Sequence, residues 1–152
     1  MNDVSATPTL EELESLVGRP LPGGTYTVEP WRSWLTNDVI GAPQRPDGIA
    51  HPMFCYYVAM GGMGLSIDEM FTLCWASADD GPMFGESDLQ QLRPLETGTT
   101  YTVRGQITSA VRKQGARTGT FDIVAFRLEV VDPGGEVSAV VSNSFIYPRR
   151  ST

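Results

Sequence analysis

Histidine occurs once in this chain, at His51, lysine once, at Lys113, and cysteine twice, at Cys55 and Cys74. The two cysteines sit inside apolar segments. They form neither a disulfide framework nor a metal-ligand spacing, so no metal is expected. Two free thiols point to a reducing, cytoplasmic compartment. No apolar run approaches the ~20 residues that span a bilayer, so no membrane partner is expected. Met1-Asn2-Asp3-Val4-Ser5 has no positive n-region and no apolar h-region, and is not read as a secretory leader. Basic residues are scarce as well: 11 Lys and Arg stand against 18 Asp and Glu, a net charge of −7. That balance argues against a nucleic-acid partner, which needs a basic face to neutralise phosphates. There is no repeat and no compositional break, so residues 1–152 read as one domain, with residues 1–8 polar and disordered.

What is present begins with helix signals. Thr9-Leu10-Glu11-Glu12 is a capping-box pattern, followed by Leu13, Leu16 and Val17 at helical spacing, then Gly18 and Pro20 as a stop. Thr25–Val28 reads as a strand. Pro30 opens a second helix carrying Trp31, Trp34, Leu35 and Val39, closed at Gly41. Pro52 to Met63 is apolar nearly all round and predicts a buried central helix. Gly61, Gly62 and Gly64 loosen its end and let a neighbouring backbone or ligand come close. Ser66-Ile67-Asp68-Glu69 is a second capping box, starting a helix that runs to about Trp75.

The rest reads as β. Strands are expected near 83–92, 100–111, 118–131 and 136–147, joined by turn chemistry at Thr97-Gly98, Gln114-Gly115 and Pro133-Gly134-Gly135. Short connections imply antiparallel pairing. The fold class is therefore α+β. The strand 121–131 is apolar on both faces, with Phe121, Ile123 and Ala125 on one and Val124, Phe126, Leu128 and Val130 on the other. One helix layer covers one face, so a second cover, such as a partner protomer, is expected.

Two phrases carry a family resemblance. Gly48-Ile49-Ala50-His51-Pro52-Met53-Phe54 puts the histidine at the head of the central helix. Gly85 to Tyr101, through Leu92-Arg93-Pro94-Leu95-Glu96-Thr97-Gly98, joins two strands through a proline bend and a glycine turn. In this order they resemble the MaoC-like hydratase/dehydratase family, over roughly Leu16 to Pro148. The resemblance implies a hotdog fold, an antiparallel sheet wrapped around a long central helix. It implies hydration or dehydration of 3-hydroxyacyl/enoyl thioesters carried on coenzyme A or a phosphopantetheine arm, with no separate cofactor. It also implies a homodimer, or a heterodimer with another hotdog subunit. The protein would be a lyase or one subunit of one; the alternatives are a cyclase or thioesterase on the same scaffold, or a non-catalytic partner subunit.

One position departs from the family. Where its "G-D-x-N-P-x-H" phrase carries the catalytic pair, this chain reads Gly41-Ala42-Pro43-Gln44-Arg45-Pro46-Asp47, with Ala42 in place of the aspartate. Pro52-Met53-Phe54 also leans toward the "APPTF" of substrate-binding subunits. Such chains build a tunnel while a partner supplies the acid and base. The candidate catalytic groups are therefore His51, which can move a proton near neutral pH, with Asp47 and Asp38 as the nearest carboxylates. A helix N-terminus at His51 would offer backbone donors to a thioester carbonyl. Met53, Phe54, Tyr57, Met60 and Gly61 are candidates to line the acyl chain. Arg112 and Arg117, beside a hairpin turn, are candidates for a phosphate or an acidic carrier.

Overall fold

The computed structural model describes residues 6–149. The order is α1 (Leu10–Glu14), β1 (Gly24–Thr27), α2 (Pro30–Val39), α3 (Phe54–Gly62), α4 (Ile67–Leu73), β2 (Met83–Gln91), β3 (Thr100–Gly115), β4 (Gly119–Val131) and β5 (Val137–Pro148). Both expected capping boxes form: Thr9 closes on Glu12, and Ser66 on Glu69. The central helix begins at Phe54, two residues after Pro52. Residues 1–5 of the segment expected to be disordered lie outside the described residues. Pro8 is buried and its carbonyl accepts from Arg112 Nη2 at 2.9 Å.

All five strands form one antiparallel sheet in the order β1-β3-β4-β5-β2. α3 lies on one face and touches every strand. Phe54, Cys55, Val58 and Ala59 meet Ile107, Val124, Phe126, Leu128 and Val141, all buried. The glycines of α3 bring the backbones together here: a β-carbon on Gly62 would lie 2.5 Å from Val103 Cγ2.

Burial departs from the expected pattern on three elements. On β4, Val124, Phe126, Leu128 and Val130 are buried, while Phe121, Ile123 and Ala125 are only half-buried. The larger apolar exposure lies elsewhere. On α2 the buried residues are polar, Ser33 and Asn37, the latter 3% exposed. Trp31, Trp34, Leu35 and Val39 face outward, Val39 at 75%. On β2 all nine residues are exposed, and its outer edge pairs with no other described strand.

Candidate functional site

The segment before α3 is fixed by the loop between β2 and β3. Ala50 N–H donates to Leu95 O at 2.8 Å, Thr97 N–H donates to Gly48 O at 2.8 Å, and Ile49 bridges Glu96. Tyr101 Oη accepts from Glu96 N–H at 2.9 Å and pins the bend from the other side. The two phrases that carry the resemblance are thus hydrogen-bonded to one another, although far apart in the sequence.

His51 leaves this anchor half-buried at the head of α3. Its Nδ1 accepts the backbone N–H of Met53 at 3.2 Å. A neutral imidazole with an accepting Nδ1 carries its proton on Nε2. With Nδ1 engaged, the neutral ring has Nε2–H as the group it can offer a ligand. The backbone donors expected at this helix start are largely engaged. Phe54 N–H reaches His51 O at 2.9 Å, Cys55 N–H reaches Pro52 O at 3.0 Å, and Tyr56 N–H reaches Met53 O at 3.0 Å. Pro52 has no N–H. The polar group the helix head offers a ligand is the imidazole N–H.

The candidate acyl-lining residues divide. Met53 and Tyr57 are exposed and Met60 is half-buried, and together with half-buried Tyr56 they form one stripe along α3. Gly61 is not part of it: it sits against the Tyr26 ring of β1, which would lie 2.6 Å from a β-carbon there. Phe54 is in the core, its ring edge-on to Tyr57 with centroids 5.3 Å apart. The stripe runs beside the face of β2 that carries Phe84 and Leu89, both exposed. In the single chain this is an open apolar face.

The two carboxylates stand apart from it. Asp47 is held by Arg45 through two bonds, 3.2 and 2.6 Å, and accepts Ile49 N–H at 3.1 Å. The Arg45 side chain keeps its carboxyl below the ordinary range. A carboxylate so paired is a poor proton acceptor. Asp38 is exposed near the end of α2. Neither bonds His51.

Arg112 is committed to the fold. Its Nε and Nη2 grip Asp122 at 2.7 and 2.9 Å. Asp122 is fully buried and also takes Arg149 Nε at 2.7 Å. Arg149 in turn donates to the carbonyls of Cys74 and Trp75, each at 2.8 Å. Trp75 is there because α4 ends in a left-handed residue, φ 52°, normally a glycine. Arg117 is exposed in the β3–β4 turn.

Sequence reasoning missed Asn143 on β5. Its inward-facing neighbours at alternate positions are Ala139, Val141, Phe145 and Tyr147, all buried. A single amide in that apolar alternation was the available signal.

No family model matches the chain, and no curated protein matches it in sequence. Solved structures do match in fold. A MaoC-like dehydratase superposes with a TM-score of 0.68 at 17% identity, over 89% of this chain and 43% of that one. The ChsH1-ChsH2 complex from Mycobacterium tuberculosis matches with a TM-score of 0.66 at 15% identity, over 99% and 94% of the two chains. The R-hydratase PhaJ1 from Pseudomonas aeruginosa matches at 0.58 and 16%, over 88% and 83%. The protein has a hotdog fold, an antiparallel sheet around a central helix. Within that class its fold is the one shared by the MaoC-like dehydratases.

Proposed function

We propose that this protein is a thioester-binding subunit of a hydratase/dehydratase acting on 3-hydroxyacyl and enoyl thioesters. The observation that carries the reading is the hydrogen bond from Met53 N–H to His51 Nδ1 at the head of the apolar stripe of α3, which leaves Nε2 as the free ring nitrogen. An acyl chain lies along Met53, Tyr57 and Met60, and its thioester carbonyl accepts from His51 Nε2–H. Water adds its oxygen to C3 of the enoyl group and gives up a proton to a base. The C2=C3 electron pair moves toward the carbonyl, giving an enolate-like state that the imidazole N–H stabilises, and C2 then takes a proton. A neutral histidine donor performs such polarisation without itself accepting the proton.

The base comes from a second hotdog subunit. Within this chain, Ala42 stands at the family's aspartate position, Asp47 is tied to Arg45, and the His51 lone pair is tied to Met53. A heteromeric arrangement is compatible with the fold, since a complex of two named chains is among its structural neighbours. The subunit works in a reducing cytoplasm, in keeping with two free buried thiols.

The test is a hydration assay on crotonyl-coenzyme A and octenoyl-coenzyme A with the purified chain, alongside calorimetric titration of the same thioesters. Binding without turnover is the expected result. Turnover at enzyme-like rates by the chain alone overturns the subunit reading, and the absence of any binding overturns the thioester reading. Release of free thiol would instead show a thioesterase. His51→Ala should weaken thioester binding while the folded fraction is held.

A further inference from the structure

The Asn143 side chain is 2% exposed, and its Oδ1 has no hydrogen-bond partner among the described residues. Its Nδ2 donates only to the thioether of Met60, at 3.1 Å. Sulfur is a weak acceptor, so the amide is under-used at both ends. On either side are Phe126 of β4, fully buried, and Ser87 of β2, the residue at which the sheet register shifts. A buried polar group left without a partner destabilises the fold and calls for an explanation. Met60 supplies one. It belongs to the half-open stripe of α3, and its thioether chain is flexible enough to swing aside. Moving Met60 exposes the Asn143 amide to whatever lies on the stripe.

Depth decides what that ligand group is. Met60 stands six residues beyond Phe54, about 9 Å along the helix. C3 of an acyl chain lies two C–C bonds from the thioester carbonyl, at most about 3 Å away. A 3-hydroxyl held near His51 therefore falls short of the Met60 position that covers Asn143. Seven C–C bonds of an extended chain do cover about 9 Å. We infer that Asn143 is a specificity determinant that accepts a hydrogen bond from a hydroxyl borne far along the acyl group, so that the preferred substrate is a distally hydroxylated acyl thioester. This rests on the thioester reading and adds to it the chemical class of the acyl group.

The experiment titrates octanoyl-, 3-hydroxyoctanoyl- and ω-hydroxyoctanoyl-coenzyme A into the full chain and into Asn143→Leu, which keeps the shape of the side chain. The native chain should prefer the ω-hydroxy over the plain ligand by about tenfold, the scale of one hydrogen bond in a desolvated site. Asn143→Leu should lose that preference, bind the plain ligand at least as well, and melt higher because an unpaired amide has gone. The 3-hydroxy to plain ratio should not move. Asn143→Ala gives the same comparison if the leucine does not pack. An ω-hydroxy preference absent from the native chain, or equal in native and variant, overturns the role of Asn143 alone. Failure of all three thioesters to bind the native chain overturns the thioester reading and this inference with it.

Discussion

Asp122 shows how one buried carboxylate can join three distant parts of a chain. Arg112 brings in the Pro8 carbonyl, and Arg149 brings in the end of α4. Removing the carboxylate leaves two guanidinium groups facing one another with little solvent. Asp122→Ala should therefore destabilise the fold by about 3–5 kcal/mol, read as a lower denaturation midpoint. Read from the sequence, Arg112 is a candidate phosphate ligand; only the register of the folded β3–β4 hairpin sets it opposite Asp122. Arg149 was not legible, since nothing local ties it to Asp122. The thiols make a second prediction at this scale. Burial pushes Cys55 and Cys74 up from 9.0 to about 11. Both folded and unfolded chains hold these protons below pH 9, so the contribution to stability is complete there. It is lost as pH rises toward 11, because the unfolded thiols ionise first. Iodoacetamide at pH 8 should leave the native protein unlabelled, and stability should decline between pH 9 and 11 in the native chain more than in a Cys55→Ala, Cys74→Ala variant.

Helix α2 marks the limit of periodicity as a guide. Trp31, Trp34, Leu35 and Val39 recur at helical spacing, and the helix forms over Pro30–Val39. The pattern identifies an apolar face but not what it faces, and in the folded chain the polar side is the one packed inward. Helix α3 was more readable because it is apolar almost all round, so most of its faces find cover. The stripe of the candidate site follows from the same spacing: Met53, Tyr56, Tyr57 and Met60 share one side, while Phe54 and Gly61, two turns apart, fall together toward β1 and the core. The pairing of the His51 loop with the Pro94 bend was not readable from either phrase alone, since it arises from tertiary contact. If the α2 face is a surface in the free chain, Trp34→Gln should change stability by no more than about 0.5 kcal/mol. A large fall in melting temperature would mean that this tryptophan is packed within the chain.

At the scale of the whole molecule, the sheet is closed on one side and open on the other. β1 is a short edge of four residues, whereas β2 is a nine-residue edge. Met83, Phe84, Leu89 and Leu92 are exposed along or just beyond β2, and its unpaired backbone groups form a ready template for another strand. Glu86 and Asp88 are the only charges on this strand. Folded domains seldom leave so long an unpaired strand edge bare. The α3 stripe lies beside it, so a partner strand or helix laid along β2 would roof the open apolar face and close it into the tunnel that the proposed acyl ligand needs. The protein should therefore associate through β2 at micromolar concentration, with itself or with a second hotdog subunit. Sedimentation of the native chain should show a dimer or a self-associating species, or recruitment into a heteromer when the partner is added. Leu89→Lys places a charge on that edge without disturbing the buried core. It should shift the equilibrium to monomer and weaken thioester binding together, because the same contact closes the site. A native chain that stays monomeric with every candidate partner, or a variant that loses association yet binds thioesters unchanged, would separate the edge from the site and show that the α3 face works uncovered.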